Sequence, residues 1–83
     1  MKALTQYGLM AERHWREFLP GMVSELQRKG LLHEMLLEAE EKTAKEVDDL
    51  RSHFQQQGLT AQQAHDRALE IVLQRYIFLL PET

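Results

Sequence analysis

Cysteine is absent from this 83-residue chain. That removes disulfides, thiolate metal sites and cysteine nucleophiles together, and it suits a reducing compartment. Glycine is scarce and scattered. Gly8, Gly21, Gly30 and Gly58 match no G-x-G pattern, so no loop is built to cradle a phosphate. No apolar run approaches the 18 or so residues that span a bilayer, and the stretch Met1–Gln6 has no apolar core of signal-peptide length. These absences lead to the expectation of a cytoplasmic protein with no membrane contact.

A basic excess is lacking too. Net charge is −3, and it is unevenly spread. Residues 1–33 carry five basic and three acidic groups, residues 34–49 two basic and seven acidic, and residues 50–83 three of each. An acidic middle repels phosphate, and no segment offers the cationic stripe that nucleic acid needs. The plain reading of the acidic run is the solvated face of a helix.

Metal and acid–base motifs are equally thin. None of His14, His33, His53 and His65 lies three or four residues from another, so no helix face presents a histidine pair. Asp49 with His53 and Glu34 with Glu38 stand at i, i+4, the spacing of ordinary surface pairs. General acid–base work would also need a pocket that shifts their pKa values, and the connections between periodic segments are too short to wall one. The expectation is a protein that is not an enzyme, with no cofactor, no metal and no small-molecule substrate. Phe54–Ala68 reads helix, Gly-Leu-Thr, helix, which superficially matches a helix-turn-helix. Against that, bulky Phe54 sits where such crossings need a small side chain, and the face Gln62, Gln63, His65, Asp66, Arg67 has little net charge.

What the chain does have is apolar residues at helical spacing. Leu4, Tyr7, Ala11, Trp15, Phe18, Leu19, Met22, Val23 and Leu26 share one face. The stripe passes through Pro20 in phase, with the proline opposite it. This favours one long bent helix over about 5–29; the rival reading is two helices broken at Pro20-Gly21. Gly30 then supplies a left-handed stop. Leu32, Leu36, Ala39, Thr43, Val47, Leu50 and Phe54 form a near-heptad seam, thin at Ala39 and Thr43, and predict a second helix over about 31–57. With only Gly30 between them, these two helices should form a tight antiparallel hairpin. Gly58 and Leu59 end the second helix, and Thr60-Ala61-Gln62-Gln63 has capping-box form. The third helix is predicted over about 61–79, stopped by Pro81. Trp15, Phe18, Phe54, Tyr76 and Phe78 read as core.

The fold expected is therefore all-α: a three-helix arrangement in one domain over 1–83, as helical hairpins that dimerise. Tyr76–Leu80 is too apolar to face water, so the other helices or a second chain should enclose it. The interface expected combines Leu31, Met35 and Leu37 with Tyr76, Phe78, Leu79 and Leu80. Its partner is a second copy of the chain or another helical protein.

One resemblance bears on biology. Gly8-x4-Arg13-His14-x3-Phe18-Leu19, then Leu26-x3-Gly30-x-Leu32-x3-Leu36, then Ala68-x-Glu70-Ile71-Val72 resembles the small TnpV-type proteins encoded in bacterial transposable elements. The resemblance covers most of the chain. It implies a bacterial, mobile-element-associated helical protein and brings no catalytic residues. The lack of a chemical motif, the apolar C-terminal end and the long second helix lead to an interaction module or adaptor; the resemblance supports the alternative, a nucleic-acid-associated accessory role in transposition, which the charge distribution opposes.

Overall fold

The computed structural model describes residues 3–82 and is all-helical there, with four helices and no strand. They are α1 (Gln6–Phe18), α2 (Pro20–Arg28), α3 (Leu32–Gln56) and α4 (Ala61–Tyr76). Two expected boundaries are corrected. The single bent helix is two helices, divided at Leu19, whose φ of −133° and ψ of 49° leave the helical region. A residue before proline is pushed away from α geometry, and Pro20 itself takes the first position of α2, where a missing N–H costs nothing. The last helix ends at Tyr76 rather than near 79, three residues earlier than its apolar pattern suggested. The N–H groups of Ile77 and Phe78 both turn back onto the Leu73 carbonyl and close the helix.

The other stops and starts follow local chemistry. Gly30 (φ +72°) and Gly58 (φ +103°) sit in the left-handed region that side chains avoid. Around each, the paired bonds of a Schellman motif form: Leu31 N–H to Leu26 O with Gly30 N–H to Gln27 O, and Leu59 N–H to Phe54 O with Gly58 N–H to Gln55 O. The Thr60 hydroxyl accepts from Gln63 N–H while the Gln63 side chain accepts from Thr60 N–H, completing the capping box.

α3 is the spine. Its broadest packing is against α4, then α1; it meets α2 over only a short stretch, so the tight hairpin expected across Gly30 does not form. α3 and α4 instead make the long antiparallel hairpin. Val47 packs with Ala68 and Val72, and farther from the turn Glu46 reaches Arg75 and Tyr76. Small residues permit the close approach: Ala11, Ala39, Ala64 and Ala68 are all buried. The second core cluster brings Trp15, Leu19, Val23, Leu36 and Ile77 together, and Tyr76 packs against both clusters. Trp15 and Ala39 share that cluster, so a bulky ring fills the thin part of the α3 seam. Phe18, expected in the core, is 39% exposed.

The result is a slab. Its Cα extents are 46 × 32 × 14 Å and its radius of gyration is 14.3 Å, against about 12 Å for a compact chain of this length. Helices laid side by side in a layer this thin bury one flank well and leave their broad faces wet.

Candidate interaction face

Two helix starts are capped from far along the chain. Thr5, at the N-cap of α1, makes no side-chain capping bond of its own. Instead Glu40 Oε1, on α3, accepts from Thr5 N–H (2.7 Å), Thr5 Oγ1–H (2.7 Å) and Gly8 N–H (3.2 Å). Glu40 is only 4% exposed. Its charge is tolerable there because helix N-terminal donors converge on it. Glycine at position 8 makes room, since a Cβ there would lie 2.6 Å from that oxygen. At α2, the Glu82 carboxylate accepts from Gly21 N–H (3.0 Å) and Met22 N–H (2.9 Å), while Glu82 N–H donates to Phe18 O (2.9 Å). Glu40 lies within the acidic run that reads as a solvated face, so charge patterning hides its role.

The Glu82 bonds anchor one end of the segment 77–82 at the α1–α2 joint, and α1 side chains hold the rest. Trp15 Nε1–H donates to Ile77 O (3.0 Å) and His14 Nε2–H to Leu79 O (2.8 Å). The His14 ring lies 4.7 Å from Phe18 and 5.2 Å from Phe78. Of the apolar tail, Ile77 is fully buried, Tyr76, Phe78 and Leu79 are half-buried, and Leu80 is 88% exposed.

Between α3 and the end of α4 lies an open apolar hollow of about 190 Å³, lined by Met35, Ala39, Tyr76 and Leu79 with Trp15 and a polar margin. The structure thus brings together Met35, Tyr76 and Leu79 of the expected interface. Leu31, one turn before Met35, continues the same exposed stripe. The remaining three lie elsewhere. Leu37 is two residues past Met35, about 200° round the helix, and half-buried. Phe78 lines a separate hollow with Met10, His14 and Phe18, and Leu80 points to solvent.

The margin of the hollow is electrostatically closed. Lys42 pairs with Glu38 at 2.8 Å and Arg75 with Glu46 at 2.6 Å. The Tyr76 hydroxyl donates to Glu46, and Lys42 Nζ stands 5.9 Å from the centre of the Tyr76 ring. The Tyr76 hydroxyl and the Arg75 guanidinium hold the Glu46 carboxyl below its ordinary 4.5. The same bond raises Tyr76 above 10.0, and Glu38 raises Lys42 above 10.5. Charges already satisfied by one another do not recruit an anion. The unsatisfied surface is apolar, and it fits an apolar side chain. Among the described residues no group of three or more His, Asp or Glu is placed to hold a metal ion. His53 meets Phe54, with ring centres 5.7 Å apart. Among the described residues no helix is long and apolar enough to cross a membrane. Comparison with protein-family models, with curated proteins and with solved structures found no match to this chain.

Proposed function

We propose that the protein is a non-enzymatic helical interaction module that works as a homodimer. Its contact surface is the stripe Leu31–Met35 together with the hollow floored by Ala39, Tyr76 and Leu79. The observation that carries this reading is an open apolar hollow between α3 and the end of α4, with charges already paired at its margin, in a molecule only 14 Å thick. Leu31 and Met35 are 37% and 38% exposed and stand one turn apart beside the hollow. A second copy laid against this face would let the Met35 side chain of each fill the other's hollow, the self-complementary contact of a two-fold dimer. The adaptor role in a bacterial mobile element belongs to the same reading and rests on the resemblance to the TnpV-type proteins; the cytoplasmic setting belongs to it too and rests on the composition.

Sedimentation equilibrium tests it. The expected result is reversible self-association at micromolar concentration, abolished by Met35→Glu without loss of helicity. A strict monomer at high micromolar concentration, retaining no helical partner in a pull-down, refutes it. The charge margin also gives the expectation for nucleic acid: no gel shift at 50 mM salt.

A further inference from the structure

The joint between α1 and α2 is a helix interrupted, not two unrelated helices. The buried positions run Gly8, Ala11, Trp15, Leu19, Val23, with no break in phase across Pro20. Helical bonds flank the gap: Leu19 N–H reaches Trp15 O at 2.7 Å and Val23 N–H reaches Leu19 O at 3.0 Å. In an unbroken helix, Gly21 and Met22 would donate to the carbonyls of Glu17 and Phe18. Here both donate to the Glu82 carboxylate, and the Phe18 carbonyl is satisfied by Glu82 N–H. One residue of the tail therefore takes over the polar groups that the interruption releases. Gly21 leaves the space for it, since a Cβ there would lie 2.9 Å from Glu82 Oε1.

We propose that Glu82 is a detachable staple on a two-state joint. With the tail in place, α1 and α2 meet at the Leu19 elbow. With the tail withdrawn, they join into one proline-kinked helix over 6–28. The exchange trades the three bonds of Glu82 for two: Gly21 and Met22 find Glu17 and Phe18 again, the Arg16 carbonyl lacks a partner because Pro20 has no N–H to give, and Leu19 enters the α region that a residue before proline disfavours. Glu82 is exposed, so water competes for it continually. The His14–Leu79 bond ties the same segment to α1, and Leu79 lines the hollow. The joint thereby sets the shape of the interaction face. That last link rests on the dimer reading; the joint itself does not.

The absence of cysteine makes the test clean. Gln6→Cys and Gln27→Cys, both at exposed positions, carry spin labels for pulsed dipolar distance measurement in the full chain. A continuous helix puts these positions about 32 Å apart; a shorter distance is expected for the stapled elbow. Glu82→Lys removes the acceptor and sets a cation at the start of α2. Pro20→Ala restores the missing donor while leaving Glu82 intact. The long-distance population is expected to rise roughly tenfold over the otherwise unchanged labelled chain. Extension in Glu82→Lys supports the staple; extension in Pro20→Ala with none in Glu82→Lys shows that the proline alone holds the joint, and overturns it. A chain that keeps the short distance, or loses its helicity, in both variants overturns it. Sedimentation of the same samples reads self-association separately, so a failed joint and a failed dimer are told apart.

Discussion

Glu40→Ala is the sharpest perturbation of this fold. The substitution removes one oxygen that serves three donors. Two of them, on Thr5, belong to an exposed residue and can turn to water. The third, Gly8 N–H, is buried, and leaving it unpaired costs about 1–3 kcal/mol. Loss of the cap on α1 adds about 1 kcal/mol. The Gly8 bond is itself part of that cap, and relief from burying a charge offsets part of the loss, so the expected destabilisation is about 2 kcal/mol. At about 4–8 °C per kcal/mol for a domain of this size, the melting midpoint falls by roughly 8–16 °C. Glu40→Gln keeps the accepting oxygen and loses only the charge assistance, about 1 kcal/mol. Urea unfolding followed by circular dichroism measures both. Gly8→Ala adds a second axis. Its Cβ would collide with the same carboxylate at 2.6 Å and with Leu4 Cδ2 at 2.8 Å, so its cost should shrink, without vanishing, in the Glu40→Ala background. A Glu40→Ala protein within about 0.5 kcal/mol of wild type, or equal in cost to Glu40→Gln, refutes the capping argument.

Three further outcomes are expected. Thr43 is fully buried and its hydroxyl has no hydrogen-bond partner; Thr43→Val should stabilise by about 1 kcal/mol, seen as a higher urea midpoint. Trp15→Phe removes the donor that holds the Ile77 carbonyl and part of a buried ring. It should cost about 2 kcal/mol in thermal unfolding, and an unchanged midpoint would deny the tail its anchor. Glu46 is held below the usual carboxylate range in the folded protein, so it contributes stability above about pH 4.5 that is lost as pH falls through its native value. The acid limb of a stability–pH curve should therefore be shallower in Glu46→Gln than in wild type.

Local chemistry made much of the fold legible. Gly30, Gly58 and the Thr60–Gln63 box act within five residues of themselves, and they ended or began helices where a reading of neighbours places them. The Leu19 break was harder, because phase and proline argue in opposite directions there. Phase reports which flank is buried, and that flank is indeed continuous; it is silent on whether the backbone between buried positions stays helical. The early end of α4 has the same cause: the apolar pattern persists past Tyr76 because Ile77 is still core, although the chain is no longer helical. Of the residues expected at an interface, Met35, Tyr76 and Leu79 line one hollow, while Leu37 lies about 200° round α3 from Met35. Glu40 and Glu82 were not legible. A carboxylate that caps a helix 35 or 61 positions away looks, in sequence, like any other surface acid.

That remoteness has a consequence for how the molecule is made. On a ribosome α1 and α2 emerge before α3 and α4, yet neither then has its side-chain cap. One waits for Glu40 and the other for Glu82. The long central hairpin, whose start and stop signals are all local, is free to form ahead of them. Synthesis order and folding order should therefore run opposite to each other, with the first-made segment clasped last.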